Sequence, residues 1–205
     1  KRGVVFHWNS EVLDFDTNGN HITHVVTDKE KLLVEELLCA GGAWSGKLLE
    51  KLKINLPLQG GKGYSFEMQK PTNIQIPTVL AEAKVAVTPM NGRTRFAGTM
   101  EINGVNMDIN AKRVRGIQKA IARYYPNIDP MQEELTPTWR GLRPCSPDGL
   151  PYLGRTNSIK NLVVATGHAM MGLSMGPATG LLVSQLIADE NTAIDINLLQ
   201  TNRFE

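Results

Sequence analysis

The sequence carries little excess of charge of either sign. Its 205 residues include 22 lysines and arginines against 20 aspartates and glutamates, which leaves a formal net charge of +2. This excess is too small to indicate nucleic acid or an anionic membrane as the main partner. We therefore expect a small-molecule partner and no nucleic acid. With 41% hydrophobic residues, the chain can bury a core and form one or two domains.

Cysteine is nearly absent. The two cysteines are Cys39, in an apolar run, and Cys145, in a polar segment, and neither has neighbours at metal-ligand spacing. This usage fits a reducing, cytoplasmic compartment and predicts no metal site. The chain also begins without an initiator methionine and without the long apolar core of a signal peptide. On that ground we expect a segment from the middle of a longer protein.

Long uninterrupted apolar runs are missing as well. The nearest approach is the stretch from Asn161 to Ile187, which contains no charged residue. A bilayer-spanning helix needs about 20 mostly apolar residues, whereas His168, Pro177 and clustered glycines interrupt this stretch. The pattern instead predicts a strand over Leu162 to Ala165, a glycine loop, and a helix that begins near Met175.

A strand, glycine loop and helix in this order can hold a cofactor. Glycines let the backbone approach a ligand closely, and the unpaired N–H groups at the start of a helix present partial positive charge. The alternatives are a purely structural strand-turn-helix and a transmembrane helix with Gly172, Gly176 and Gly180 as a packing face.

Two other glycine clusters are candidates for ligand loops. Cys39-Ala-Gly-Gly42 ends an apolar strand and precedes a predicted helix over Gly46 to Lys53, so its backbone could pass close to a ligand, with an ordinary tight turn as the alternative. Gly61-Lys-Gly-Tyr-Ser-Phe66 begins like a dinucleotide fingerprint, but it has Phe66 where the third glycine should be, and no helix follows. It is not a Rossmann loop.

Between these clusters and the carboxyl end, the sequence predicts two hairpins and one amphipathic helix. Asn18-Gly19 and Asn91-Gly92 favour type I′ hairpin turns, with strands from Lys84 to Pro89 and Arg93 to Gly98 around the second. The helix runs from Asn110, a candidate cap, to Tyr125. Off its apolar stripe lie Lys112, Arg113, Arg115, Lys119 and Arg123. A solvated face is the favoured interpretation of these cations, and an acidic partner is the alternative.

Arg143 is the strongest candidate for an anion-binding side chain. It precedes Pro144, so its backbone is biased to an extended conformation and its side chain can be directed. A guanidinium held in this way offers a planar fork to a carboxylate. A structural pairing with Asp148 is the alternative.

Several ordered blocks together resemble the flavin-dependent D-amino-acid oxidase superfamily. They are Gly141-Leu-Arg-Pro144, Pro147-Asp-Gly-Leu-Pro-Tyr-Leu-Gly154, Ala165-Thr-Gly-His168, Gly172, and Pro177-Ala-Thr-Gly180. Within that superfamily, Lys84-Val-Ala-Val-Thr88 with Arg95-Phe-Ala-Gly-Thr-Met-Glu101 is most similar to the bacterial D-amino-acid dehydrogenases. Glycine oxidase and sarcosine oxidase have the next most similar pattern.

The resemblance implies a mixed α+β and α/β fold: part of a Rossmann-like, glutathione-reductase-type FAD-binding domain plus a mixed-sheet substrate domain with helices. Residues 1–56 and 137–205 would belong to the FAD-binding domain, and 57–136 to the substrate domain. The family begins with a GxGxxG strand-loop-helix segment, and this fingerprint does not occur here. We therefore expect a fragment that lacks this segment.

The chemistry implied by the resemblance is oxidation of a D-amino acid to a 2-oxo acid and ammonia, through hydride transfer to N5 of FAD. The cofactor carries this chemistry, so no catalytic acid or base is expected. The implied substrate-binding residues are Arg143, Met100 and Met170. The implied cofactor-binding residues are Gly41, Gly42, Trp44, Arg143, Gly167, His168, Met171, Gly172, Leu173 and Ser174. The alternative for His168 is a structural hydrogen bond. The alternative for Met100 is a position in the core.

The sequence leaves other interpretations open. One alternative is a glycine- or sarcosine-type oxidase of secondary amines, and another is a non-catalytic ligand-binding module. Oxygen or a quinone could accept the electrons. We expect a cytoplasmic protein without a transmembrane span, with peripheral contact to the inner membrane as a further option.

Overall fold

The computed structural model describes residues 3–204 and divides them into two compact units. The first unit contains the residues up to Leu58 and those from Pro144 onward, and the second runs from Gln59 to Arg143. The expected assignment of these parts to an FAD-binding and a substrate domain stays a prediction.

The chain forms short strands with three α-helices among the described residues. In order, the elements are β1 Val12–Asn18, β2 His21–Thr27, β3 Lys31–Leu33, β4 Leu37–Cys39, α1 Ser45–Leu49, β5 Gln59–Met68, β6 Thr78–Leu80, β7 Val85–Met90, β8 Arg93–Ile102, α2 Ala111–Tyr124, β9 Trp139–Cys145, β10 Tyr152–Arg155, β11 Leu162–Thr166 and α3 Gly172–Ile187. Short 3-10 turns cover Gly42–Trp44, Glu50–Leu52 and Asn197–Leu199. No described helix is both long and apolar enough to cross a bilayer.

The first unit contains two three-stranded sheets. One is the antiparallel meander β1-β2-β3, and the other has the order β10-β11-β4, with β11 antiparallel to β10 and parallel to β4. Every residue of β11 is buried. Leu162 and Val164 pack into one core cluster, whereas Val163 and Ala165 pack with α3 into another. A strand that is buried on both faces requires this continuous apolar run.

The second unit is a five-stranded sheet in the order β6-β7-β8-β5-β9, with α2 packed against it. Phe66 and Phe96 face each other across β5 and β8 and lie in the core, and Ile117 and Ile121 of α2 join them. The sheet needs this cover because one apolar face of an antiparallel sheet must be removed from water.

Local sequence signals explain several boundaries. Asn91 and Gly92 both have positive φ, 49° and 79°, as a type I′ turn between β7 and β8 requires. The Asn110 side chain accepts hydrogen bonds from the N–H groups of Lys112 and Arg113, which confirms it as the cap of α2.

Other local predictions were wrong. The first hairpin turns at Gly19-Asn20, with Gly19 at φ 59°, and not at Asn18-Gly19, because Asn18 still pairs with His21. The segment from Gly60 to Gly63, in contrast, lies inside β5, in agreement with the prediction that it is not a Rossmann loop. Helix α3 begins at Gly172, three residues before Met175, because the loop ahead of it is tight.

Candidate functional site

In the first unit, a glycine loop joins β11 to α3. Gly167 directly follows β11 and has φ +83°, a conformation that favours glycine. A Cβ at this position would lie 3.2 Å from Cδ2 of Tyr152 and 3.3 Å from its backbone nitrogen. Glycine is therefore required here both by the backbone conformation and by the neighbouring strand.

Backbone hydrogen bonds hold the rest of this loop. Cys145 and His168 form an antiparallel bridge, and the Ala169 N–H donates to the Pro144 carbonyl at 2.9 Å. The Met171 N–H donates to the His168 carbonyl at 2.9 Å. Ala169 has φ +47°, uncommon for a residue with a side chain, so the loop keeps a tight conformation that these bonds stabilise.

The His168 side chain contacts α3. Its Nε2 lies 3.0 Å from Oγ1 of Thr179, and the ring is partly buried. Burial lowers the pKa of His168 below its ordinary value of 6.5, so the ring is neutral near pH 7. This contact fits the structural role that was the alternative for His168, and sequence reasoning missed Thr179 as its partner.

The amino-terminal end of α3 has no side-chain cap. Its first turn contains no acidic residue, and Met171, which precedes it, provides no side-chain hydrogen bond to the N–H groups of that turn. Gly172, Leu173 and Ser174 form this first turn and are exposed, Leu173 at 95%. Met170 and Met171 just before it are also exposed. The end of α3 thus presents partial positive charge within an apolar surface.

A second glycine segment reaches the same edge of the sheet. Gly41 and Gly42 follow β4, which is the parallel neighbour of β11, so both strands end at one edge. The Thr166 hydroxyl donates to the Gly42 carbonyl at 2.9 Å and joins the two segments. Gly42 has φ +59° and open space where a side chain would be, and Trp44 is half-exposed. The carboxyl edge of parallel strands is where open α/β sheets bind ligands.

Thr166 was not among the predicted site residues. The only sequence signal for it was its place between the apolar strand and Gly167, where polar residues at strand ends often contact ligands or neighbouring loops.

In the second unit, Arg143 lies on β9 next to β5. Its Nη1 donates to the carbonyls of Gly61 and Thr99, each at 3.3 Å. A Cβ on Gly63 would lie 2.5 Å from Nη1 and 2.6 Å from Nη2 of Arg143. The guanidinium thus occupies space that only glycine leaves open. Asp148, considered as its structural partner, forms an ion pair with Arg203 at 2.8 Å.

The strand pair beside Arg143 is irregular. The register of β5 and β8 shifts between Lys62 and Tyr64, so Gly63 lies opposite a bulge at Thr99 and Met100. Thr99 has φ +69°, a rare conformation for a β-branched residue, and its buried Oγ1 has no hydrogen-bond partner within residues 3–204. Bulges and strained residues of this kind are concentrated at functional sites.

The predicted site residues thus fall into two groups. Gly41, Gly42, Trp44 and the residues from Gly167 to Ser174 lie along one sheet edge of the first unit, together with the exposed Met170. Arg143 and the half-exposed Met100 lie at the bulge of the second unit. Sequence reasoning missed Gly63 and Thr99, although glycine inside a strand pattern is a signal for a bulge or a close approach.

Comparison with known proteins identifies the family. Residues 1–186 match the family profile DAO, described as FAD dependent oxidoreductase. The chain is 37% identical over 196 residues to the D-amino acid dehydrogenase of Vibrio vulnificus, covering 94% of this chain and 46% of that protein. It is 33% identical to the Helicobacter pylori D-amino acid dehydrogenase, and the match covers 91% of this chain and 45% of that protein. The crystal structure of glycine oxidase from Geobacillus kaustophilus matches with a TM-score of 0.83 at 28% identity. The match covers 95% of this chain and 52% of that chain.

The chain spans about half the length of the curated relatives that it matches. These matches confirm the expected family, the expected mixed helix-and-sheet fold class, and FAD as the cofactor of that family. The role of each site residue stays a prediction. Because the family profile covers most of the chain, this protein belongs to the DAO family of FAD dependent oxidoreductases.

Proposed function

We propose that this chain supplies the flavin-ring and substrate sides of an enzyme that oxidises D-amino acids to 2-oxo acids and ammonia. The observation that carries the proposal is the Arg143 guanidinium, which is held over Gly63 at a strained bulge. The names of the curated relatives at 33% and 37% identity, both D-amino acid dehydrogenases, support the choice of substrate.

The carboxyl edge of the β11 sheet fits a flavin. The uncapped end of α3 has no acidic residue in its first turn, so its N–H groups favour a neighbouring negative charge by about 0.3–1 kcal/mol. Gly42 leaves open space where a side chain would be, so backbone there can come close to a flat ring, and exposed Met171 and Leu173 offer apolar contact. FAD, when bound, supplies a two-electron acceptor for the hydride of the substrate α-carbon.

Arg143 is the proposed anchor of the substrate carboxylate. A guanidinium carries five N–H donors in one plane and binds a carboxylate through two parallel hydrogen bonds. The Gly61 and Thr99 carbonyls accept from Nη1 and restrict the rotation of the side chain. A fixed carboxylate orients the α-carbon and its hydrogen, which is the positioning that the reaction requires.

Met100 is proposed to contact the substrate side chain. It directly follows Thr99, whose carbonyl accepts from Arg143, and 42% of its surface is exposed. Methionine is flexible and apolar, so it adapts to side chains of different size. This predicts a broad range of D-amino acids and not glycine alone. The role of Met170, which is exposed on the first unit, stays a prediction.

No protein acid or base is assigned. His168 is neutral near pH 7 and is engaged with Thr179, so it is proposed to hold the loop and, through its neighbours, the flavin. The α-carbon hydrogen leaves with two electrons, the substrate nitrogen loses a proton to water, and water then hydrolyses the imine to the 2-oxo acid and ammonia.

A second candidate is the oxidation of glycine or a secondary amine. The similarity to the Geobacillus kaustophilus glycine oxidase, at a TM-score of 0.83, favours it. This candidate uses the same Arg143 contact with the substrate carboxylate and differs in the side chains near the α-carbon and nitrogen. For either candidate, we propose oxygen or a quinone as the electron acceptor. We also propose that the protein is cytoplasmic or is bound peripherally to the inner membrane.

The test is an anaerobic titration of the intact FAD-loaded enzyme, followed by its visible spectrum. D-alanine, L-alanine, glycine and sarcosine are added separately, and the flavin absorbance is recorded. Loss of absorbance with D-alanine but not with L-alanine supports the proposal. Loss with glycine or sarcosine alone supports the second candidate, and an unchanged spectrum with all four overturns both. Adding oxygen or a soluble quinone to the reduced enzyme then identifies the acceptor.

A further inference from the structure

The sheet of the second unit has two faces of different character. The face that α2 covers carries large apolar side chains, which include Phe66, Phe96, Val85 and Val87. Because side chains alternate along a strand, the residues between these lie on the opposite face. At the centre of that opposite face are Ser65, Ala86 and Ala97, and Ala97 pairs with both of the others across neighbouring strands. The sheet therefore has a face of small side chains directed away from α2.

The proposed anchor of the substrate carboxylate lies on this same face. The Arg143 guanidinium lies over Gly63, which is two residues from Ser65 on β5 and so shares its face. The other face is marked by Gly60, where a Cβ would lie 3.2 Å from Cδ2 of Leu142. Strand β9 thus presents Leu142 to one face and Arg143 to the other. A substrate held by Arg143 lies on the side of the small residues.

Trp139 shares both the strand and the face of Arg143. Trp139, Gly141 and Arg143 alternate along β9, so their side chains leave it on one side. The indole of Trp139 lies over Gly141: a Cβ there would clash with Cη2 and would lie 3.0 Å from Cζ2 and Cζ3 of the ring. The six-membered ring therefore extends along the strand from Trp139 toward Arg143, and only glycine at position 141 leaves space for it.

Packing does not account for this position of the indole. Trp139 is 64% exposed, although a large aromatic side chain gains much from burial. Strand β9 is at the edge of the sheet, but the ring lies over the face of the strand at Gly141. Apolar surface around a few directed polar groups is the usual composition of a small-molecule site. An exposed aromatic ring beside the guanidinium of Arg143 has this composition.

We propose that Trp139 determines side-chain specificity, because its indole contacts the side chain of the substrate and favours D-amino acids with large, uncharged and above all aromatic side chains. This inference rests on the proposed function and on Arg143 as the carboxylate anchor. Residues two apart on a strand are separated by about 6.6 Å. A ring over Gly141 is thus within reach of a side chain that extends from the α-carbon of a substrate bound at Arg143.

The neighbouring residues favour a large and uncharged substrate side chain. Ser65, Ala86 and Ala97 are small, so they leave space above the sheet, and all three are uncharged, so they offer no partner to a charged group. Aromatic rings stack or meet edge to face, which stabilises such a pair beyond the effect of buried area alone. An aromatic substrate side chain therefore gains more from Trp139 than the methyl group of D-alanine does.

The test is the rate of anaerobic flavin reduction in the intact FAD-loaded enzyme, measured by stopped-flow absorbance. The second-order rate constant for D-phenylalanine is divided by that for D-alanine. Trp139→Ala should lower this ratio by about tenfold, whereas Trp139→Phe, which keeps an aromatic ring, should lower it by about threefold or less. A purely structural role of Trp139 would reduce both rate constants alike and leave the ratio unchanged.

A second variant moves the ring without removing it, and matched controls accompany both. Gly141→Ala should displace the indole and lower the ratio about as much as Trp139→Ala does. Trp8→Ala, at a 73% exposed indole of the first unit, and Gly116→Ala, where a Cβ has open space, should leave the ratio unchanged. Arg143→Lys should lower both rate constants by a similar factor, because both substrates carry the carboxylate.

Three results would overturn the inference. The first is an unchanged ratio in Trp139→Ala, and the second is an equal fall of the ratio in Trp8→Ala. The third is a greater loss for D-lysine than for D-phenylalanine in Trp139→Ala, which would assign the ring to a cationic side chain. If D-alanine reduces the flavin and the ratio does not respond, only this inference fails. If neither substrate reduces the flavin of the unchanged enzyme, the proposed function fails with it.

Discussion

The guanidinium of Arg143 lies where a side chain on Gly63 would be: a Cβ there would come within 2.5 Å of Nη1 and 2.8 Å of Cζ. The two residues are on adjacent strands of the second unit, β9 and β5. Gly63 therefore shapes the position of the proposed carboxylate anchor.

Gly63→Ala should displace the guanidinium, because the end of an arginine side chain moves more easily than backbone. We expect the KM for D-amino acids to rise by about tenfold or more, since a misplaced anchor loses paired hydrogen bonds. The free energy of unfolding should change by less than about 1 kcal/mol. Steady-state kinetics and urea unfolding measure the two effects.

Gly116→Ala is the matched control for that substitution. Gly116 lies inside α2, and nothing lies within 4 Å of the place where its Cβ would be. Alanine should stabilise the helix by about 1 kcal/mol and leave the KM unchanged. An unchanged KM in Gly63→Ala would contradict the proposed role of Gly63.

Arg143→Lys should impair substrate binding although the positive charge is kept. An ammonium cannot form the planar two-bond contact with a carboxylate, and such charged hydrogen bonds are each worth about 1.5–3 kcal/mol. The KM should therefore rise by about 10-fold to 100-fold. Arg93→Lys, at an exposed ion pair with Glu67, is the control and should leave the KM unchanged. Equal kinetics for the two variants would remove Arg143 from the site.

Because of His168, the free energy of unfolding should decrease as the pH falls below about 6.5. Burial lowers its pKa in the folded state, so the unfolded chain takes up the proton first as the pH falls. Stability from this group is complete above its ordinary pKa of 6.5 and is lost as the pH falls toward the folded-state pKa. Thermal unfolding between about pH 5 and pH 8 measures this slope. His168→Gln should flatten it, because the substituted side chain does not take up a proton in this range.

Asp148 should stabilise the first unit down to strongly acidic pH. Its carboxylate accepts from Nε and Nη2 of Arg203 at 2.8 and 3.0 Å, and this pairing lowers the pKa of Asp148 from 3.8 to about 2. The stabilisation is complete above 3.8 and is lost as the pH falls toward about 2. Asp148→Asn should lower the free energy of unfolding at neutral pH by about 1 kcal/mol.

Asp189→Asn is the control for Asp148→Asn, because Asp189 is 89% exposed in its ion pair with Arg155. It should change stability by no more than a few tenths of a kcal/mol. If both variants unfold at the same urea concentration, the Asp148–Arg203 pair does not stabilise the unit as argued.

Several features were readable from the sequence because they depend on near neighbours along the chain. Asn91-Gly92 predicted its turn, since both residues tolerate positive φ. Asn110 predicted the start of α2, because its short side chain reaches the first N–H groups. The apolar run from Leu162 predicted β11, and the glycines after it predicted a loop. The resemblance to a family rested on such blocks in a fixed order.

The site depended on contacts that no local pattern encodes. Gly63 and Arg143 are 80 positions apart, and the place of the guanidinium over Gly63 follows from the pairing of β5 with β9. Thr166 and Gly42 are 124 positions apart and meet because β11 and β4 are parallel neighbours. Arg203 was not recognised as the partner of Asp148 for the same reason.

The sequence by itself thus determined the family, the main turns, caps and apolar strands, because backbone dihedral preferences and hydrophobic periodicity act over a few residues. Only the tertiary structure decided which glycine makes room for Arg143 and which threonine joins the two glycine segments. Those outcomes depend on strand register and on hydrogen bonds, such as that of Thr166 with Gly42, that form only when distant parts of the chain meet.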